Sequence, residues 1–267
     1  MSPRQACLQC LQRDPPALFE AALWIAAEHE QQVQPAQLVS DLHSLQLQVS
    51  AGLPALPARE LAQPLLRRLA ELDFQEDDEG VTRPRHALLH EVLRRRRGQP
   101  LSLALIALEL ARNLEIPLQG VNFPGHFMLR VPGADHLLDP CGGRRLYTRD
   151  CREQLSRQLG ADVELTGVHL QTADARSMLQ RLSRNLRQLH MQHDDPLAAL
   201  KDAERVLQLG APSVVDHLAR ADVYHKLDCP QGERYDLEHA LLLCEEEGLR
   251  LQLSQRLRNL ERIPAVH

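Results

Sequence analysis

The chain has 267 residues and a formal charge of −5, with 43% hydrophobic and 25% charged residues. These are ordinary globular proportions, which exclude collagen, coiled-coil and largely disordered classes. Only 3% is aromatic while Leu occurs 52 times, a bias toward helix that excludes an all-β sandwich or barrel and leaves no aromatic platform for stacked bases.

The N-terminal MSPRQACLQCLQRDPP lacks a long apolar stretch and a secretory cleavage pattern, so a cytoplasmic protein is expected. Cys7-x-x-Cys10 has no second pair at zinc spacing. It reads as two small apolar residues near a fraying end rather than a metal or redox site. The six cysteines are too few and scattered for a disulfide framework. Residues 16–30, 35–49 and 57–73 carry helical apolar stripes, and prolines open the first two. The acidic run Glu76-Asp77-Asp78-Glu79-Gly80 reads as a solvated turn. A further helix is expected over 85–96, with His86 and His90 at i, i+4. Two histidines without a third ligand predict no metal. Arg94 to Arg97 read as a solvated helix end that complements the dipole, not as a nucleic-acid patch. Only two of the 31 basic residues are lysine, so arginine here reflects a chain-wide bias.

After Gly98-Gln99-Pro100, residues 102–114 form the most apolar helix, apolar nearly all round and so central. No apolar run reaches membrane-spanning length. The period then changes. Residues 118–123, 126–131 and 136–140 are short strands, with a turn at Pro132-Gly133-Ala134-Asp135. Residues 148–159 return to helix, 162–170 is a further strand candidate, and the chain is helical after 172. From about 184 it repeats with a period of 34: Asp194-Asp195-Pro196 aligns with Asp228-Cys229-Pro230, and Asp202 with Asp236. That period is the tetratricopeptide signature, a stacked helix–turn–helix unit that exposes a surface for peptides or proteins.

Three residues converge on one chemistry: Ser102 at the start of the central helix, His126 at the start of a strand, and Asp139 on the next strand. An even-length turn centred on Gly133-Ala134 sets Met128 opposite Asp139 and His126 opposite Cys141. His126 and Asp139 then share a sheet face as diagonal neighbours; an odd-length turn would separate them. A nucleophile at a helix N-terminus, a base, and a carboxylate that orients the base make a triad. Ser102 also has a plainer job, capping its helix. Cys141 is a weaker nucleophile candidate, because it lies on a strand without help from a helix end.

At RRRRGQPLSLALIALELARNLEIPLQGVNFPGHFMLRV and HLLDPCGG the sequence resembles the bacterial SirB-type transglutaminase-like proteins, which carry C-terminal tetratricopeptide repeats. The resemblance runs over roughly residues 15–262 and includes RLSRNLRQLH and the repeat region. It implies an α+β, predominantly α fold: an N-terminal helical layer (1–80), a papain/transglutaminase-like core with a small antiparallel sheet (81–170), and tetratricopeptide-like helices (171–267). The active families use Cys-His-Asp or Cys-His-Asn, and those positions fall on Ser102, His126 and Asp139. A serine hydroxyl needs a stronger, better-placed base than a thiol does. The expectation is therefore a degenerate triad, without metal or cofactor, in a protein that binds a protein or peptide and neither nucleic acid nor membrane. The alternative is acyl transfer or amide/ester hydrolysis by Ser102, His126 and Asp139.

Overall fold

A computed structural model describes residues 1–77 and 82–261. It is mostly helical with small sheets, as the α+β, predominantly α expectation requires. The chain divides into two compact units, the first Met1–Leu182 and the second beginning at Ser183.

In the first unit, α1 (Pro3–Cys10) packs on α2 (Leu18–His29), and α2 packs in turn on α3 (Pro35–Ser50). Cys7 and Cys10 are therefore buried in an ordered helix, not at a fraying end. Burial and the nearby Glu20 carboxylate push the Cys10 thiol up to about 11, which suits packing and not redox chemistry. The helix expected over 57–73 is a short 3₁₀ turn followed by α4 (Ala62–Glu71). Shortly after it, β1 (Gln75–Glu76) pairs in parallel with β2 (Arg97–Gly98). This pairing crosses the boundary expected near residue 80 and ties the N-terminal helices to the segment that leads into the central helix. Strands of two residues carry no alternation, so the sequence pattern does not reveal them.

The helix expected over 85–96 is interrupted. A 3₁₀ turn occupies Pro84–His86 and α5 runs Leu89–Arg95. His86 and His90 consequently do not share a helix face. Arg96 ends α5 in the left-handed conformation. Its guanidinium donates to the Leu72 carbonyl at 2.9 Å and lies over the Phe74 ring, while Arg97 donates to the Asp73 carbonyl and carboxylate. Two of the four arginines thus satisfy carbonyls just beyond α4, a helix-capping role rather than a solvated run. Asp77, the described part of the acidic run's middle, is also not a solvated turn. Its carboxylate is 5% exposed and sits 3.0 Å from His86 and 3.1 Å from Arg95. Residues 78–80 of that run lie outside the described residues.

Helix α6 (Pro100–Asn113) is the hub of the unit. It packs against α2, α4, α5 and both sheets, and nine of its residues are buried. It starts two residues earlier than expected because Pro100 occupies its first position, where the fixed φ and missing N–H carry no penalty. Strands β3 (Gln119–Val121), β4 (Met128–Arg130), β5 (Leu137–Leu138) and β6 (Arg145–Leu146) form an antiparallel meander in that order. Helix α7 (Thr148–Leu159) comes next. Val121, Phe123, Met128, Leu137, Leu146 and Leu155 make a core between them. Residues 162–170 are not a strand. They are loop ending in a 3₁₀ turn at Gly167–Leu170, and one bridge, Val121 to Thr172, lies beyond them.

The division between units falls within α8 (Ala175–Gln192). Helices α9 (Pro196–Leu209), α10 (Val214–Lys226), α11 (Pro230–Leu243) and α12 (Glu247–Glu261) pack each on the next. The period of 34 recurs in the backbone: Asp194 and Asp228 both have positive φ, at 55° and 50°, and Pro196 and Pro230 each open a helix. The aligned Asp202 and Asp236 are both fully buried. Asp202 holds His190 and Arg205; Asp236 holds His217 and Arg220. Among the described residues no helix is long and apolar enough to cross a membrane.

Candidate functional site

The meander places two of the three candidate residues. Leu129 pairs with Leu138 and Arg130 with Leu137. This is the register of an even-length turn, and its continuation sets Met128 opposite Asp139 and His126 opposite Cys141. His126 Nε2 lies 3.6 Å from Asp139 Oδ2, an ion-pair distance longer than a hydrogen bond. His126 Nε2 is buried and has no hydrogen-bond partner among the described residues.

The segment before His126 is fixed by its aromatics. Phe123 and Phe127 are both buried. Arg181 donates to the Phe123 carbonyl at 2.7 Å and lies over the Phe127 ring. Gly125 turns the chain between them at φ 73°, a left-handed conformation that an L side chain would strain, with the Gln158 side chain beside it. Aromatics that are scarce in the sequence therefore bracket the histidine and fix its backbone.

The carboxylate is positioned by its own turn. Asp139 Oδ1 accepts the Cys141 N–H at 2.8 Å, the Asp139 N–H donates to Arg144 O, and the Gly143 N–H donates to Asp139 O. Gly142 and Gly143 take left-handed φ of 84° and 72°. A Cβ on Gly143 would stand 3.0 Å from the Leu66 Cβ, because Gln63 Nε2 holds the Gly143 carbonyl against α4 at 2.8 Å. Burial works against the charged Asp139, yet the His126 ring, the Cys141 amide and Arg144 together hold its pKa below the usual aspartate value. The Gln63 contact carries no sequence signal, since it joins residues 80 apart.

Ser102 is the third residue of α6, not its cap; that position belongs to Gln99. The side chain is fully buried and its hydroxyl donates to the Ala87 carbonyl at 2.9 Å. The Gln99 N–H donates to the neighbouring His86 carbonyl at 2.7 Å. Together these two bonds clip the start of α6 to the link before α5. Among the described residues no hydrogen bond joins Ser102 to His126. Cys141 is half-buried, and its thiol is held well above the ordinary value by burial first and then by Asp139 and Glu76. Glu76, on β1, is a neighbour that the sequence does not reveal, because an acidic run reads as solvent-facing.

His86 and His90 go separate ways: His86 to Asp77, His90 Nε2 to Glu30 Oε2 at 3.0 Å.

Residues 36–184, more than half of the chain, match the family described as the transglutaminase-like superfamily. The chain is 60% identical over 258 residues to the UPF0162 protein PA3419 of Pseudomonas aeruginosa, a match that spans 96% of both. The chain belongs to this transglutaminase-like family. Protein SirB1 of Salmonella typhimurium is a more distant member, 29% identical over 74% of this chain and 78% of that protein. YchA of Escherichia coli is 28% identical over 68% and 69%. The family match runs from α3 into the first half of α8 and so includes α4, α6 and the meander.

Proposed function

We propose that this SirB-type chain is a non-catalytic transglutaminase-like protein that binds a protein or peptide in the cytoplasm, with tetratricopeptide-like helices in its second unit. The observation that carries this reading is Ser102. Its hydroxyl is sealed from solvent and committed to the Ala87 carbonyl, while the base it would need, His126, faces Asp139 instead. Cys141, the other nucleophile candidate, is held protonated by burial and by two nearby carboxylates. The binding half rests on the second unit, where Leu242 and Leu251 are 81% and 66% exposed on successive helices and Tyr235 is also exposed. Helical repeats often present such side chains to peptides or proteins.

The test is chemical. The purified protein is treated with a fluorophosphonate probe and, separately, with iodoacetamide, and adducts are mapped by mass spectrometry. The expected outcome is no adduct on Ser102 and slow alkylation of Cys141. A Ser102 adduct that disappears in His126→Ala overturns the reading. It would establish the second one, acyl transfer or amide/ester hydrolysis by Ser102, His126 and Asp139, which the retained His126–Asp139 pair favours. For the binding half, peptide-array binding should be lost in Leu242→Glu, whose helical circular dichroism stays intact.

A further inference from the structure

Ion pairs link the helices of the second unit. Arg184 on α8 grips Asp216 on α10 with two hydrogen bonds, Nε to Oδ1 at 2.8 Å and Nη2 to Oδ2 at 2.7 Å. Arg256 on α12 donates to Asp222 on α10 at 2.7 Å. Within α9, Arg205 donates to Asp202. Arg187 stands one turn after Arg184 on the same face of α8 and is half-buried. Among the described residues it makes no hydrogen bond and no ion pair.

The carboxylates around Arg187 explain why. Asp216, Asp202 and Asp222 all act on its charge, but each is engaged elsewhere. Asp216 accepts from both prongs of Arg184 and from the Ser213 hydroxyl at 2.7 Å. Asp202 is held by Arg205 and His190, and Asp222 by Arg256. Three carboxylates are thus matched to three other arginines, and Arg187 is the surplus cation. Burial pulls its pKa below the usual arginine value, against the attraction of Asp216, yet a guanidinium stays charged. A charge drawn partly out of water without an acceptor is costly. The side of the group that remains open has a definite shape. Nη1 is sealed from solvent, whereas Nε and Nη2 are not. Those two nitrogens form one edge of the planar fork, the edge by which Arg184 grips Asp216 and Arg220 grips Asp236.

We propose that the Nε–Nη2 edge of Arg187 binds a carboxylate from outside the chain, either a free carboxylate or an acidic side chain of a partner. Two carboxylate oxygens fit the two N–H groups as they do in the internal pairs, and the surplus positive charge sets the sign of the ligand. The site shares no residue with the Ser102–His126–Asp139 group or with the exposed Leu242 and Leu251. It stands whether or not those leucines bind a peptide.

The experiment titrates the full chain with acetate, with acetamide and with the peptide acetyl-Gly-Glu-Gly-Glu-Gly-amide, each at an ionic strength held constant with chloride, and follows the arginine Nε–Hε signals by NMR. Acetate and the peptide are expected to shift the Arg187 signal saturably, and acetamide is not. The Arg220 signal should stay still, because Asp236 fills its fork. Arg187→Lys keeps the charge and loses the two-pronged edge. Acetate should raise its unfolding midpoint only at about tenfold higher concentration than it does the parent's. Binding of the peptide at least tenfold more tightly than acetate assigns the carboxylate to an acidic partner segment; equal binding assigns it to a free carboxylate. Three results would overturn the proposal: no saturable shift at Arg187, a shift of the same size at Arg220, or a midpoint response to acetate that is unchanged in Arg187→Lys. The parent's NMR titration decides between the first two even if the lysine variant does not fold.

Discussion

Asp139 and Asp236 hold the same kind of partner in opposite ways. Asp236 is fully buried, 2.8 Å from His217 Nδ1, and both its oxygens accept from Arg220 at 2.8 and 2.9 Å. Every lone pair that matters has a close donor. Asp139 is partly open, holds His126 at 3.6 Å, and spends its other oxygen on the backbone of its own turn. The second-unit pair is saturated and the first-unit pair is loose. A buried carboxylate that binds both a guanidinium and an imidazole is structural cement, because breaking it strands a charge. A carboxylate that leaves its histidine under-bonded keeps a site open to change. The presence of an Asp–His pair therefore says little by itself; the degree of saturation separates scaffold from site.

The sharpest way to break that comparison is to remove each pair in turn. Asp236→Ala should cost about 3–5 kcal/mol of stability, because it leaves the buried His217 and the partly buried Arg220 without their counter-charge. His126→Ala should cost far less. Equilibrium urea unfolding of both variants decides it, and equal losses would dissolve the distinction. Next in size is Ser102→Ala. The Ala87 carbonyl is buried and loses its donor, so about 1–3 kcal/mol is expected in the same measurement. A neutral result would mean that the clip at the start of α6 is not structural. Gly143→Ala comes third. A left-handed φ costs an L-residue about 1–2 kcal/mol, and the new Cβ presses on Leu66, so a lower unfolding midpoint is expected.

Much of this is legible in the amino-acid order alone. The period change after residue 118 locates the meander, and an even turn length predicts the register that brings His126 and Asp139 together. Such register arguments work because one slip reverses every side chain. The period of 34 anticipates the paired prolines and aspartates of the second unit. The hidden features depend on long-range contact. Two-residue strands such as β1 and β2 carry no periodic pattern, so the pairing of residues 75–76 with 97–98 is invisible locally. Arg96 and Arg97 look like solvent charges because nothing nearby in the chain shows the carbonyls of Leu72 and Asp73 beside them. Ser102 reads as a cap because its helix begins earlier than the apolar run does. Its true partner, the Ala87 carbonyl, is fifteen residues away.

The smallest expected effect is also the most specific to the loose pair. Burial opposes the Asp139 charge, but His126, the Cys141 amide and Arg144 outweigh it, and the pKa lies below the ordinary value. A carboxyl whose folded pKa is depressed stabilises the fold above its unfolded pKa, about 3.9 for aspartate. That contribution is lost as the pH falls through the folded pKa. The unfolding midpoint of Asp139→Asn should therefore lie below the parent's at pH 7, and the gap should close as the pH drops under about 4. Asparagine keeps the side-chain oxygen that accepts the Cys141 N–H, so the turn itself persists and the difference isolates the charge. Asp236→Asn provides the contrast: its loss should be larger at neutral pH, because Arg220 stays charged at every pH used. If the two variants instead lost the same stability at neutral pH, the loose and the saturated carboxylate would be energetically alike, and the open geometry at His126 would carry no functional meaning.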